Sequence, residues 1–416
     1  MNIGESPLEG YRALDLTDDK GFLCGRILGD LGIDVIKVEL PGGDPSRRIG
    51  PFYNDIPDPE KSLYWFAYNA NKRGITLNIE SRDGEEIFKK LVKKSHFVIE
   101  SYSPGFMDSL GLGYSSLSQI SPTIILTSIT PFGQTGPYCH YKVSDIVEMG
   151  MCGLMNLCGD PDLPPVCISF PQAYLHGGAE AAVQTMVAHY YRETTGQGQW
   201  VDVSIQQSAF MATFNAPWFW ELNQVILKRA GAWRTGLTSG VLQRQIWPCK
   251  DGYVNFPVYG GALVARTNRR LAEWMDREGI SDDFFRGIDW DTFDMGQVTQ
   301  ELWGHMERLM VKFFQAHTKE ELYSEALRLN IMIYPVSTPE DIAENKQLEA
   351  RGYWLQLEHP ELGETLTYPG AAIKASLTPM QLERRAPLIG EHNEEIYGEL
   401  GLSQGDLLIL KQTGVI

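Results

Sequence analysis

An α/β fold is predicted, with a large Rossmann-like parallel-sheet domain and a smaller α+β domain. Two observations carry this. Over residues 9–130, short strand-like runs alternate with helical stripes, the pattern of a parallel sheet covered on both faces. Beyond residue 237 the order changes to a hairpin followed by helices. A length of 416 residues suits about two to three domains and a large core.

In order, Ala13-Leu14-Asp15-Leu16 is a short strand, and Phe22, Cys24, Ile27, Leu28 and Leu31 form a helical stripe. Residues 33–39 are the next strand, closed by Pro41-Gly42-Gly43-Asp44-Pro45. Strand 74–79, a helix from Gly84 to Lys94, and strands 96–100 and 123–129 follow. A polar turn with Lys142 and Asp145 then leads into a glycine-spaced apolar run. From Pro171 a helix presents Ala179, Ala182, Val183, Met186, Val187 and Tyr190 on one apolar face. It stops at Thr195-Gly196-Gln197-Gly198, before the strand 200–204. The aromatic run Phe210, Phe214, Trp218, Phe219, Trp220 and Trp233 reads as a helix packed in a core. Residues 245–254 form a hairpin with an Asp251-Gly252 turn. Helices fill 264–330, with a capping box at Thr318–Glu321, and Thr338-Pro339 starts another.

A net charge of −17 argues against a nucleic-acid or anionic-membrane surface. Six cysteines without CxxC or ligand spacing read as reduced thiols in a cytoplasmic protein, with no metal site. No basic-then-apolar leader and no run of spanning length is present, so a soluble chain is expected. The first strand is not followed by GxGxxG, which argues against a nicotinamide enzyme.

Three motifs then recur in a telling order. They are Phe132-Gly133-Gln134-Thr135-Gly136-Pro137, Gly159-Asp160-Pro161-Asp162, and Thr195-Gly196-Gln197-Gly198-Gln199 ahead of the strand. With Lys37-Val38-Glu39, Asn71-Lys72-Arg73, Pro104-Gly105-Phe106-Met107-Asp108 and Pro387-Leu388-Ile389-Gly390, this order resembles the class III CoA-transferase family. That family includes formyl-CoA transferase, carnitine CoA-transferase and α-methylacyl-CoA racemase. The resemblance runs from Leu8 to Ile416. It implies an interlocked dimer, a large CoA-binding domain of residues 1–208 with 345–416, an aromatic linker over 209–236, and a small domain over 237–344. It also implies coenzyme A lying along the strand ends near Lys20, Leu77, Ser101, Tyr102 and Lys142, with Lys72 and Arg73 as further cations. Leu40 and Ser109 stand where the family often has arginine, which weakens the grip on CoA phosphates.

The family's nucleophilic aspartate falls, on this sequence, at Tyr174. A carboxylate forms reversible anhydride and thioester intermediates. A phenol with a pKa of about 10 is about a thousandth ionised at neutral pH and cannot become a thioester. The racemase chemistry needs the same aspartate, plus a histidine where this chain has Ser144. His176 reads as a polar surface or core group. Asp145 is either a substitute nucleophile or a loop or cap residue. Three functions follow. The chain is the non-catalytic subunit of a CoA-transferase, paired with a paralogue that keeps the aspartate. The family has such a pair in anaerobic toluene degradation, acting on succinyl-CoA and benzylsuccinate. Alternatively, it is a self-sufficient CoA-transferase or acyl-CoA isomerase using another acid such as Asp145. The last reading is a non-enzymatic acyl-CoA-binding or regulatory protein.

Overall fold

The computed structural model describes residues 6–235 and 240–416, without the side chains of Ala262 and Leu263. The chain divides into two units. The first holds the described residues up to Leu154, Cys167–Asn215 and Lys346–Ile416; the second holds Met155–Val166 and Ala216–Asn345.

The first unit is built on strands β1 (Arg12–Leu16), β2 (Asp34–Glu39), β3 (Lys72–Thr76), β4 (Phe97–Glu100), β5 (Ile125–Thr130) and β6 (Trp200–Ser204). All neighbours pair in parallel, in the order β3-β2-β1-β4-β5-β6. Strands β1 to β5 are buried along nearly their whole length, as a sheet covered on both faces requires, and all but β3 (Lys-Arg-Gly-Ile-Thr) are rich in apolar residues. The connections carry α1 (Phe22–Asp30), α2 (Leu63–Asn69), α3 (Arg82–Val92), α4 (Phe106–Ser109), α5 (Tyr114–Ile120), α6 (Asp145–Met151) and α7 (Gln172–Thr195). Helices α2, α4 and α5 are too short to leave a periodic stripe. A core of Leu14, Ile36, Ile75, Phe88, Val98 and Leu117 fills one face of the sheet.

Helix α7 starts and stops where the sequence places it, and Gly196 closes it at φ +74°. Its orientation differs from the expected one. The inward face carries Ala173, Gly177, Gly178, Ala181, Ala182, Thr185 and Ala188. The larger apolar side chains expected to face the core point outward instead: Val183 is 54 % exposed, Val187 56 % and Tyr190 74 %. Close packing is the reason. A Cβ on Gly178 would lie 3.0 Å from Leu23 Cβ of α1, and one on Gly177 2.8 Å from Ile205. Only small residues let α7 approach this far.

After β6 come α8 (Ile205–Phe210) and, in the second unit, α9 (Ala216–Asn223). The aromatic run is not core packing within this chain: Phe214, Trp218 and Trp220 are all exposed. The second unit continues with β7 (Trp233–Thr235) paired to β8 (Leu242–Arg244), then the hairpin β9 (Ile246–Cys249) and β10 (Gly252–Asn255). Its two loop residues are Lys250 and Asp251; Gly252, at φ +149°, already pairs with Cys249, one position from the expected turn. Helices α10 (Ala262–Arg277), α11 (Asp283–Arg286), α12 (Gln300–Gln315) and α13 (Lys319–Leu329), with β11 (Tyr334–Pro335) and α14 (Pro339–Ala343), complete the unit. Trp247, Trp303, Met306 and Phe314 lie in its core. Both expected helix starts hold: Thr318 with Glu321, and Thr338 with Asp341, form reciprocal caps. The chain then re-enters the first unit through α15 (Lys346–Ala350), the hairpin β12 (Trp354–His359) and β13 (Glu364–Pro369), α16 (Asn393–Glu399) and α17 (Gln404–Gln412). Among the described residues no helix is long and apolar enough to cross a membrane.

Candidate active site

Open parallel sheets take ligands beyond the carboxyl ends of their strands. At that end of β1 a floor of paired charges lies beneath the surface. Asp15, Lys37 and Lys72 are all fully buried. The Lys72 ammonium donates to Asp15 Oδ2 at 2.8 Å, to Asn69 Oδ1 at 2.9 Å and to Phe22 O at 3.0 Å, so all three protons are used. Lys37 donates to Thr17 O and stands 3.7 Å from Asp15 Oδ1. Burial alone would raise the Asp15 carboxyl, but the two ammonium groups outweigh it and hold it below the usual range. Gly25 makes room for the pair: a Cβ there would lie 2.2 Å from Asp15 Oδ2. Arg73 is likewise engaged, with Asp34 at 2.5 Å, Glu395 at 2.6 Å and Glu399 at 3.1 Å. Lys72 thus holds the frame with its donors facing inward, while Arg73 ties the amino end of β2 to the carboxylates of α16.

The other expected CoA contacts divide. Ser101 Oγ donates to Asp18 Oδ1 at 2.7 Å and accepts from the Asp18 amide at 2.8 Å, and Lys20 pairs with the same carboxylate. Lys20 and Ser101 therefore meet across the β1 and β4 ends. Tyr102 follows, its ring 4.6 Å from that of Phe106. Leu77 is buried, 1 % exposed. Lys142 stands apart: it is exposed and, among the described residues, has no ion pair.

Tyr174 occupies the first turn of α7 and is buried. Pro171 cannot cap this helix with its side chain, and Asp145 does so instead. Asp145 Oδ1 accepts from the Tyr174 amide at 3.0 Å, and the Ala173 amide donates to the same carboxylate. A carboxylate at a helix N-terminus satisfies orphan N–H groups and meets the positive end of the helix dipole. His176 is half-buried.

Acids surround the phenol. Burial, followed by the charges of Asp19, Asp18, Asp145 and Glu148, pushes the Tyr174 hydroxyl well above its usual value. Asp19 is itself pushed up to about 6 by burial and by Asp18. Tyr64 on α2 shares this environment, facing Asp19, Asp145 and Tyr174. Glu148 is the extreme case. Its side chain is fully buried, neither oxygen has a hydrogen-bond partner among the described residues, and burial with the Asp145 charge pushes it up to about 7. Glu148 was missed in the sequence, although it stands one helical turn beyond Asp145. Such a site can receive and orient a ligand but holds its phenol neutral, without a free carboxylate nucleophile at position 174. Among the described residues no group of three or more His, Cys, Asp or Glu side chains is placed to hold a metal.

A doubly wound sheet with polar groups gathered at its carboxyl end defines a ligand-binding α/β protein. Comparison with known proteins narrows this: the model of CoA-transferase family III matches residues 8–393, and the chain belongs to that family. The subunit BbsE of succinyl-CoA:(R)-benzylsuccinate CoA-transferase from Thauera aromatica is 34 % identical, over 98 % of this chain and 97 % of its own. Formyl-CoA:oxalate CoA-transferase from Streptomyces coelicolor is 32 % identical over 98 % and 99 %. Succinyl-CoA:glutarate CoA-transferase from Mus musculus is 32 % identical over 99 % and 90 %. Among solved structures, a CAIB/BAIF family protein from Brucella suis superimposes with a TM-score of 0.83 at 27 % identity, covering 95 % of this chain and all of the other.

Proposed function

We propose that this chain is the non-catalytic subunit of a hetero-oligomeric, cytoplasmic CoA-transferase. The complex moves CoA between a thioester such as succinyl-CoA and a carboxylic acid, with benzylsuccinate the favoured acceptor. Tyr174 at the position of the family's nucleophile carries the reading, because a buried phenol with its pKa raised cannot form the acyl and CoA intermediates. The substitute acid weighed in the sequence is engaged elsewhere: Asp145 caps α7 through two amides. The partner is a paralogue that retains the aspartate. Two surfaces support an interlocked assembly, the outward face of α7 with Val183, Val187 and Tyr190, and the exposed Trp218, Trp220 and Leu222 of α9. Apolar surface on this scale marks an interface. Likeness to BbsE, a subunit of a transferase acting on succinyl-CoA and benzylsuccinate, supports the choice of substrates. CoA meets this chain through Lys20, Ser101, Tyr102 and Lys142, which has no ion pair among the described residues, while Lys72 stiffens the floor below and Arg73 ties the amino ends of the strands.

Purification of the chain alone and with an aspartate-bearing paralogue tests this. CoA exchange is expected only in the mixture. Turnover by the lone chain at the rate of the mixture would overturn the assignment, and CoA binding without turnover in either would make the chain a binding protein.

A further inference from the structure

Glu148 poses a problem that this chain by itself does not solve. Its carboxyl is fully buried on α6, and neither oxygen has a hydrogen-bond partner among the described residues. Leaving a buried polar group unpaired is costly, and leaving a buried charge unpaired more so. The acids elsewhere in the interior are satisfied: Asp15 by Lys72 and Thr17, Glu39 by Arg47. Glu148 instead stands one turn along α6 from Asp145, whose carboxylate accepts from the Tyr174 amide at the start of α7. We infer that Glu148 is a specificity-determining residue of this chain's own site, donating a hydrogen bond from its carboxyl O–H to the acyl oxygen of a bound thioester or free carboxylic acid.

The choice of donor follows from the neighbours. Asp145 is tied to the amides at the start of α7, although burial, the larger influence, raises its carboxyl above the usual range. Burial, and then the Asp145 carboxyl one turn back on the same short helix, disfavour a charge at Glu148, so the neutral acid is the favoured form below about pH 7. α6 packs against α7 and α8. Apart from Asp145, the titratable groups around Glu148 among the described residues are Tyr174 of α7 and Cys152 at the end of α6, and neither carries a positive charge. Among the described residues no ammonium or guanidinium stands there to pair with an ionised Glu148. An acyl oxygen is an acceptor, and a neutral carboxyl supplies the donor it needs. The inference rests on reading the chain as a CoA-transferase subunit, but it is independent of which subunit hosts turnover.

Equilibrium dialysis of the full chain with acetyl-CoA, succinate and CoA, from about pH 6 to about pH 8, is the test. Affinity for at least one acyl ligand is expected to fall about tenfold over that range as Glu148 loses its proton, while CoA lacking an acyl group shows no such slope. A slope for acetyl-CoA alone identifies the thioester oxygen as the partner; one for succinate alone identifies the free acid. In Glu148→Gln, which keeps an N–H donor but does not titrate, affinity is expected to stay within about twofold across the range. Glu148→Leu should bind about tenfold more weakly at pH 6. Asp19 and Glu100 also titrate near this range, so a slope that persists in Glu148→Gln overturns the inference. Affinity that rises with pH, which signals a cation, overturns it too, as does failure of both acyl ligands to bind. Wild type and Glu148→Gln can equally be compared within the hetero-oligomer, where the partner's contribution cancels. A lone chain that turns over would defeat the proposed function and leave this inference standing; an active complex without the slope would do the reverse.

Discussion

Two clusters of buried charge, both in the first unit, are built on opposite terms. Beneath β1, Asp15, Lys37 and Lys72 bring opposite signs together, and every proton of Lys72 has an acceptor. Around Tyr174, Asp19, Asp145 and Glu148 bring one sign together, and among the described residues Glu148 has no hydrogen-bond partner. The first arrangement is complete without a ligand and fixes the sheet. The second is incomplete, and its missing partner has to come from outside the chain. Each cluster holds a fully buried ionisable side chain, Lys72 in one and Glu148 in the other, so burial by itself does not distinguish a structural charge from a site charge; the partner count does.

Breaking the complete cluster should have the largest effect. Asp15→Ala leaves two fully buried ammonium groups without their carboxylate, and a loss of about 3–5 kcal/mol is expected, read as a lower denaturant midpoint. The incomplete cluster should respond the other way. Because folding raises Glu148 to about 7, the native state binds more protons than the unfolded chain between its ordinary value of 4.5 and 7. Wild-type stability therefore falls as pH rises through that window, by at most about 3 kcal/mol. Glu148→Gln escapes the loss, so its melting temperature should pull ahead of wild type from about pH 5 and level off above about pH 7. The smallest effect concerns the acid of the second cluster that does have partners. Asp145→Ala removes the cap of α7 and should cost about 1–2 kcal/mol, whereas Asp145→Asn, which keeps the acceptor, should cost less than about 1 kcal/mol in the same unfolding experiment.

The sheet was legible because its strands are dense in β-branched and aliphatic residues and its turns carry glycine and proline. The helix starts at Thr318, from its capping box, and at Thr338, from the proline that follows it, were legible because each signal lies within four consecutive residues. The face of α7 was not. Periodicity weighs large apolar residues, and on this helix they point outward while alanine and glycine make the close contact with α1 and α8. The engagement of Lys72 and Arg73 was hidden for a different reason. Lys72 meets Asp15 across 57 positions, and Arg73 meets Glu395 across 322, separations that no local pattern reports. At the site, the phenol at position 174 could be read from motif spacing. That Glu148 is buried beside it, unpaired, depends on how α6 and α7 pack.

The central claim is that chemistry on the acyl group is hosted by another polypeptide, and intact-mass analysis tests it most directly. The active hetero-oligomer is quenched during turnover with a CoA thioester, and each subunit is weighed. This chain is expected to emerge unmodified while the aspartate-bearing partner carries the acyl or CoA adduct. An adduct on this chain, at Asp145, Glu148 or any other residue, would contradict the account.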